Sequence, residues 1–87
     1  MPENYLFRLY INSNSQSGIK ENINIFFKEK LGSNYTLEVV DVKEGVEKAK
    51  EDSVFIIPTL IKISPPPKKR IIGDLSCKDR ALLVLGI

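Results

Sequence analysis

The sequence predicts an α/β protein whose mixed β-sheet is flanked by helices, in the element order βαβαββα. Two observations predict this class. A strand-like segment, an amphipathic helix and a second strand follow one another within residues 5–42, which is the order of a βαβ unit with parallel strands. Two further apolar segments, residues 59–64 and 70–74, flank three consecutive prolines and precede a last helix, which indicates an antiparallel pair.

The first strand and the first helix have the clearest patterns. Residues 5–11 are aromatic and β-branched, and apolar on both faces apart from Arg8, as is typical of a strand covered on both sides. The polar residues 12–17 predict a turn, and Gly32 stands where a glycine commonly ends a helix. Apolar residues at helical spacing predict an amphipathic helix over about residues 17–31: Ile19, Ile23, Phe26, Phe27 and Leu31.

The middle of the chain predicts a strand and a short helix. Residues 36–42 form a second apolar strand segment. Residues 43–52 are dense in charge, with Val46 and Ala49 as the few apolar positions, which favours a mostly exposed helix whose charges are solvated. The apolar run 54–57 then ends at Pro58.

The last third predicts a hairpin and a closing helix. The strand segment 59–64 leads into Pro65, Pro66 and Pro67, which cannot extend a helix and should form a stiff connection to residues 70–74. Ser76 and Asp79 have the spacing of a helix-capping box. One face of the final helix is predicted from Ala81, Leu82 and Leu85.

The composition disfavours several classes of site and of protein. The 87 residues have room for one domain, 1–87, with a marginal core, so self-association would help it. There is no histidine and only one cysteine, which disfavours a Cys/His zinc site and an intrachain disulfide, and we expect neither a metal nor another cofactor. The chain has neither a signal-peptide pattern nor an apolar run of ~20 residues, so we expect a cytoplasmic protein without a membrane span.

The basic cluster Lys68, Lys69 and Arg70 has two interpretations. It could contact an acidic partner, because it lies beside a stiff proline run that loses little entropy on docking, or it could be a solvated face. A net charge of +2 does not favour nucleic acid, and Phe7, Phe26 and Phe27 have core spacing rather than alternating with the basic residues.

The element order is that of the thioredoxin fold, and residues 57–60 (Ile-Pro-Thr-Leu) resemble its cis-proline loop. We therefore expect a cis bond before Pro58. Thioredoxin chemistry needs a low-pKa cysteine at the start of the first helix and a second cysteine nearby, whereas residues 12–17 contain none. Cys77 has no partner cysteine in the chain and is interpreted as an incidental helix residue rather than a redox sensor. The sequence thus favours a binding module over an enzyme, with a dithiol oxidoreductase as the disfavoured alternative.

A longer pattern resembles the KaiB family of circadian-clock proteins. It comprises residues 57–63, the triple proline and residues 70–76 (Arg-Ile-Ile-Gly-Asp-Leu-Ser), with looser agreement at residues 9–10 and 39–42. The resemblance implies a non-catalytic protein that binds a KaiC-type ATPase and regulates its phosphorylation or timing cycle, and whose bound state engages KaiA or a histidine kinase. It also implies a homo-oligomer, dimer or tetramer, and a metamorphic chain with an alternative ground-state fold in its C-terminal half.

The same resemblance implies most of the site residues. The basic residues that it implies around the KaiC contact are Lys20, Lys62, Lys69 and Arg70, and Lys68 is added because it belongs to the basic cluster. Gly73 and Asp74 lie in the segment that the resemblance implies to change structure. Four prolines are added as fold-switch or structural residues, because X–Pro bonds isomerise slowly and could slow the exchange: Pro58, Pro65, Pro66 and Pro67.

Two departures from cyanobacterial members leave alternatives open. Glu38 and Ser53 stand where those members often have lysine, and the chain ends at Ile87 without their acidic tail. The alternatives are a KaiB-like regulator in bacterial stress adaptation and the thioredoxin-like sensor module of a histidine kinase.

Overall fold

The computed structural model describes residues 4–12, 14, 17–73 and 78–87. Their elements follow the predicted order: β1 Tyr5–Ile11, α1 Ser17–Leu31, β2 Tyr35–Asp41, α2 Val46–Glu51, β3 Thr59–Ser64, β4 Lys69–Ile72 and α3 Lys78–Leu85. The described residues form a mixed sheet in the order β2-β1-β3-β4. Strand β1 pairs parallel to β2 and antiparallel to β3, and β4 continues antiparallel to β3. The predicted α/β class, with its parallel pair and its hairpin, is confirmed.

The element bounds differ from the prediction mainly around α2. The helix begins at Val46 rather than at residue 43, because Asp41 holds the preceding residues in a turn. Its side-chain Oδ1 accepts from the Lys43 amide at 3.0 Å, and its carbonyl oxygen accepts from the Gly45 amide at 2.8 Å.

At the other end of the chain, β4 is shorter than predicted, since it ends at Ile72. Asp74, the proposed capping serine Ser76 and Cys77 lie outside the described residues.

The core lies on both faces of the sheet, because successive strand residues point to opposite faces. Helices α1 and α3 cover the face that carries Phe7, Leu9 and Leu60, and the rings of Phe7 and Phe27 stack with centroids 4.0 Å apart. Helix α2 covers the other face, where Tyr10, Ala49 and Ile61 are buried together. The core positions predicted for the first and last helices are confirmed at Ile23, Phe27, Ala81, Leu82 and Leu85.

The end of α2 determines how the chain returns to the sheet. The Ser53 amide donates to the Lys50 carbonyl at 3.1 Å and the Val54 amide donates to the Ala49 carbonyl at 2.8 Å, which is the bond pattern of a Schellman cap. Ser53 takes the left-handed position of that cap with φ of 55°, where glycine is the usual residue. The cap turns the chain so that residues 54–58 run beside α2 toward β3.

The loop that precedes β3 has the cis proline expected of the thioredoxin-like loop. The Ile57–Pro58 bond is cis, which confirms the sequence prediction, and the Ser64–Pro65 and Pro66–Pro67 bonds are also cis.

Candidate partner-binding surface

The turn between β3 and β4 presents two exposed lysines. Lys68 lies at the end of the proline segment and Lys69 begins β4, where it is in register with Lys62. The Lys68 Nζ lies 3.7 Å from Asp52 Oδ1, and about half of its side chain remains exposed. An exposed ion pair at this distance contributes little to stability, so both ammonium groups are available to an acidic partner.

Arg70, the third residue of the predicted cluster, has a structural contact as well. Its Nη2 donates to the Asp52 carbonyl at 2.7 Å and its Nη1 donates to the Ser53 carbonyl at 3.4 Å. The guanidinium thus binds the backbone at the end of α2, where helix carbonyls lack partners within the helix. Arg70 therefore joins β4 to the α2 cap, and changing it would alter the fold as well as the surface charge.

Lys62 is buried, with 4% of its surface exposed. It lies on the same face of β3 as Leu60, toward α3, and a Cβ at Gly86 would lie 3.8 Å from its Nζ. An ammonium near the last turn of a helix is favoured by the helix dipole. In this fold Lys62 is therefore not part of the exposed basic surface, because strand alternation points it inward, and its role in partner binding stays a prediction.

Lys20 is exposed but lies far from the other basic residues in the topology. It belongs to the first turns of α1, which follow the end of β1 on the sheet face opposite α2. Lys68 lies on the α2 side, since it reaches Asp52, and Lys69 is joined through Lys62 to Phe7 near the start of β1. The structure therefore brings Lys68 and Arg70 together at Asp52 on the α2 side. Lys69 is opposite Lys62 in the register and lies on the other face of the sheet, and Lys20 follows the far end of β1.

Gly73 and Pro58 connect the hairpin to the cis-proline loop. The Gly73 amide donates to the Pro58 carbonyl at 2.9 Å, and the φ of Gly73 is 94°. This backbone conformation strains any residue with a Cβ, so glycine is required for the bond to form as it does. The fold-switching role implied for both residues stays a prediction.

A polar network on the α2 side was missed by the sequence interpretation. Arg8 donates from Nε to Glu38 Oε1 at 2.6 Å and from Nη1 to Asp52 Oδ2 at 2.9 Å. The Tyr10 hydroxyl donates to the same Asp52 oxygen at 2.5 Å, and Lys48 Nζ donates to Glu38 Oε2 at 2.7 Å. The network joins β1, β2 and the end of α2 through side chains that are separated by as many as 44 residues in the chain.

These contacts perturb the ionisation of the network. Burial raises the pKa of Asp52, but hydrogen bonds from Tyr10 and Arg8 outweigh it, so the pKa lies below its ordinary value. The hydrogen bonds from Lys48 and then Arg8 lower the pKa of Glu38. Burial, followed by the bond to Asp52, raises the pKa of Tyr10 to about 12. Asp52 and Glu38 are therefore carboxylates and Tyr10 is neutral at neutral pH.

The prediction that the charges of residues 43–52 are solvated was wrong for Asp52, whose side chain is only 10% exposed. Lys48 pairs with Glu38 but keeps 40% of its side chain exposed. Arg8 itself was the sequence feature that could have indicated the network. It is a charge in a strand that is otherwise apolar on both faces, and such a charge needs a counter-charge. The sequence did not reveal which acid supplies it.

Neither a membrane-spanning helix nor a metal-binding cluster occurs in the described part of the chain. No helix there is long and apolar enough to span a membrane. No group of three histidine, cysteine, aspartate or glutamate side chains is arranged there to hold a metal ion.

Comparison with known families decides the classification. The family model for the KaiB domain matches residues 8–87. The chain belongs to the KaiB family. It is 43% identical to the circadian clock protein KaiB3 of Synechocystis sp. over 84 residues, which cover 94% of this chain and 82% of that protein. It is also 43% identical to the circadian clock oscillator protein KaiB of a Synechococcus strain, over 95% of this chain and 77% of that one. The resemblance inferred from the sequence is thus confirmed, and these relatives support a clock-related role.

Solved structures with low sequence identity confirm the fold. The N-terminal domain of Synechococcus elongatus SasA superposes with a TM-score of 0.64 at 17% identity, over 99% of this chain and 80% of that one. Thioredoxin 1 from Thermosipho africanus superposes with a TM-score of 0.69 at 20% identity, over 87% of this chain and 85% of that one. The described fold is therefore thioredoxin-like, as the element order predicts.

Proposed function

We propose that this chain is a non-catalytic clock protein, folded as one domain over residues 1–87, that binds a KaiC-type ATPase and regulates its phosphorylation or timing cycle. The proposal rests on the KaiB family model, which spans residues 8–87, and on the clock proteins among its relatives. A chain with one cysteine and no histidine also lacks the side chains for intrachain dithiol exchange or histidine general-base chemistry.

The exposed hairpin lysines supply the contact chemistry of this proposal. Lys68 and Lys69 extend from a turn held by three prolines, and Arg70 fixes the strand that follows to the end of α2. Charges on a preorganised turn reach an acidic surface with a small loss of conformational entropy. They also accelerate encounter with a negatively charged partner.

We further propose the finer properties implied by the family. These are a cytoplasmic location, engagement of KaiA or a histidine kinase once the ATPase is bound, and exchange between this thioredoxin-like fold and a second, oligomeric packing of the C-terminal half. A small domain with a marginal core supports such exchange, because two packings of one sequence need differ by only a few kcal/mol.

The direct test mixes the purified chain with the KaiC-type ATPase of the same organism. After hours of incubation with ATP or ADP, size-exclusion chromatography should show co-elution, and the phosphorylation state of the ATPase should change with time relative to the ATPase alone. Separate elution in every nucleotide state would contradict the proposal. Insulin reduction by the chain would contradict its non-catalytic part.

A further inference from the structure

The α2 side of the molecule has an apolar groove with a single cation in its lining. The groove, named here the Phe55 groove, has a volume of about 390 Å³, and its lining residues are Val42, Val46, Ala49, Lys50, Val54, Phe55 and Ile57. The Lys50 side chain is exposed and makes no ion pair within the described part of the chain. Clefts of roughly 300–1,000 Å³ that are mostly apolar and contain few polar groups are typical of small-molecule sites.

Helix α2 forms one wall of the Phe55 groove. Val46, Ala49 and Lys50 are three and four residues apart, so they lie on one face of the helix. Ala49 is buried with Tyr10 and Ile61, and its single methyl group takes up little of the space between the helix and the following segment. This face of α2 therefore places an ammonium group beside apolar side chains.

Residues 54–57 form the opposite wall, and the backbone holds them in place. The Val54 amide donates to the Ala49 carbonyl at 2.8 Å in the Schellman cap, and the Thr59 hydroxyl donates to the Ile56 carbonyl at 2.5 Å. Phe55 lies between these two bonds and is 88% exposed. A wall that is fixed in advance loses little conformational entropy on binding, and Phe55 has apolar surface that a ligand can cover.

We propose that the Phe55 groove binds a free aliphatic monocarboxylate, such as a medium-chain fatty acid, with its carboxylate at Lys50 and its alkyl chain along the apolar lining. The described residues of the lining include one cation and no acid, so they favour an anionic head group. The neighbouring acids of α2, Glu47 and Glu51, are not among them. An ammonium group donates charge-assisted hydrogen bonds to a carboxylate, and the alkyl chain gains free energy from each methylene that leaves water.

The size of the exposed surface favours a small molecule over a protein. Phe55, Ile56 and the partly exposed Val46 offer about 350 Å², estimated from the areas that aromatic and aliphatic side chains bury. Stable protein interfaces bury about 800 Å² per partner. The groove volume is near the lower end of the range for small-molecule sites, which suits a chain of about eight to ten carbons. The inference goes beyond the proposed function and does not depend on binding to an ATPase.

Nuclear magnetic resonance titration of the full chain with sodium decanoate tests this inference, at neutral pH and below the concentration at which decanoate forms micelles. We expect a dissociation constant on the order of 100 µM and amide chemical-shift changes confined to residues 42–57. Affinity should rise about tenfold from hexanoate to octanoate and again to decanoate, because each buried methylene contributes. Decylammonium, which has the same chain length and the opposite charge, should bind at least about tenfold more weakly than decanoate.

Two pairs of variants separate the head-group contact from the apolar contact. K50E should bind decylammonium more tightly than decanoate, whereas K28E, which reverses an exposed charge on α1, should keep the wild-type preference. F55A should weaken decanoate binding several-fold. Its matched control is L83A, because Leu83 is 80% exposed on α3 against the other face of the sheet, and it should bind decanoate like the wild type. All four changes are at exposed side chains, and circular dichroism should show each variant folded.

Several outcomes would overturn the inference. They are a wild type whose spectrum does not change with decanoate, equal affinity for decanoate and decylammonium, and a K50E variant that still prefers decanoate. Chemical-shift changes spread over both faces of the sheet, or equal losses of affinity in F55A and L83A, would indicate unspecific coating by an amphiphile. Sedimentation of the chain with vesicles of phosphatidylglycerol that contain no free fatty acid would assign the surface to a membrane instead.

Discussion

Asp52 makes most of the polar contacts that hold the end of α2 to the sheet. Its carboxylate accepts from Arg8 and Tyr10, and its carbonyl oxygen accepts from Arg70. Two strands of the sheet, β1 and β4, and the end of α2 thus meet at one residue. An acid with 10% of its side chain exposed is stabilised by these partners, and removing its charge would weaken the hydrogen bonds from Arg8 and Tyr10.

Asp52 should therefore make stability depend on pH. Because its pKa is lower in the folded state, its contribution is complete above the unfolded pKa of about 3.9 and is lost as the pH falls through the folded pKa. D52N should lower the free energy of unfolding near pH 7 by about 2 kcal/mol and flatten its decline below about pH 5. Urea unfolding across that range measures both effects.

The low-pH slope has a second contributor and a clear control. Glu38 also has a lowered pKa, so D52N should reduce the slope without abolishing it. E21Q, which changes an exposed carboxylate on α1, should leave the profile of the wild type unchanged. If D52N and the wild type lost stability with the same slope, Asp52 would have no part in the acid sensitivity of this fold.

Ser53 occupies a backbone position that suits glycine better. Its φ of 55° costs a residue with a Cβ roughly 1 kcal/mol, and the side chain is exposed. S53G should therefore raise the free energy of unfolding by about 0.5–1 kcal/mol. S33G is the control, because Ser33 is an exposed turn residue without a positive φ, and it should lower stability slightly. A fall in the melting temperature of S53G would show that the left-handed cap does not strain Ser53.

At the scale of elements, the hairpin and the proline loop are joined by one backbone bond. The Gly73 amide reaches the Pro58 carbonyl from the residue that follows β4. This bond fixes the end of the hairpin near the start of β3, beside the loop that displays Phe55. The turn at Gly73 therefore links the β3–β4 hairpin to the cis-proline loop and does not only end β4.

G73A should weaken the hydrogen bond between Gly73 and Pro58 and lower the stability of the fold. A Cβ at Gly73 meets no atom within 4 Å, so its cost is conformational and arises from the φ of 94°. We expect the free energy of unfolding to fall by about 1 kcal/mol or more. G18A is the matched control, since Gly18 lies in α1 with open space around it and a Cβ there should stabilise the helix by about 0.5–1 kcal/mol. Equal melting temperatures for G73A and the wild type would contradict the strained role of this turn.

Sequence patterns predicted which elements are present better than they predicted where each element begins and ends. Apolar periodicity predicted the observed bounds of β1, α1 and β3. It could do so because an element that buries one or two faces has apolar residues at regular spacing along the local sequence. The length of α2 was overestimated, since the Asp41 side chain accepts from the Lys43 amide and this bond competes with the helix at residues 43–45. Such a choice depends on local hydrogen bonds that hydrophobic patterns do not contain.

At the scale of the whole molecule, the candidate site was predictable only in part. The basic turn was visible as a run of three charges, but the inward direction of Lys62 and the bond of Arg70 to the α2 cap follow from strand register and tertiary packing. The pairing of Arg8 with Glu38 and Asp52 spans 30 and 44 residues, so no local pattern could have identified it. The sequence thus indicated which charges exist, and the fold determined which of them remain free for a partner.

Lys68 and Lys69 both offer positive charge on the hairpin, but they lie on different faces of the sheet. Lys68 reaches Asp52 on the α2 side, whereas Lys69 is opposite Lys62 in the register and so shares the face that α1 and α3 cover. The exposed apolar residues Phe55 and Ile56 belong to the segment whose beginning Arg70 binds. A variant at Lys69 therefore changes a surface that is separate from the apolar surface at Phe55.

If the hairpin lysines contact the ATPase, binding should depend on ionic strength. Exposed charges are screened over about 8 Å at physiological salt, so the dissociation constant should rise several-fold between about 50 and 300 mM NaCl. K69E should weaken binding about tenfold at low salt and flatten this dependence, because it reverses an exposed charge. K30E reverses an exposed charge in the last turn of α1 and should bind like the wild type. Melting temperatures should be nearly equal for all three proteins. A dissociation constant that changes neither with salt concentration nor in K69E would place the contact elsewhere on the molecule.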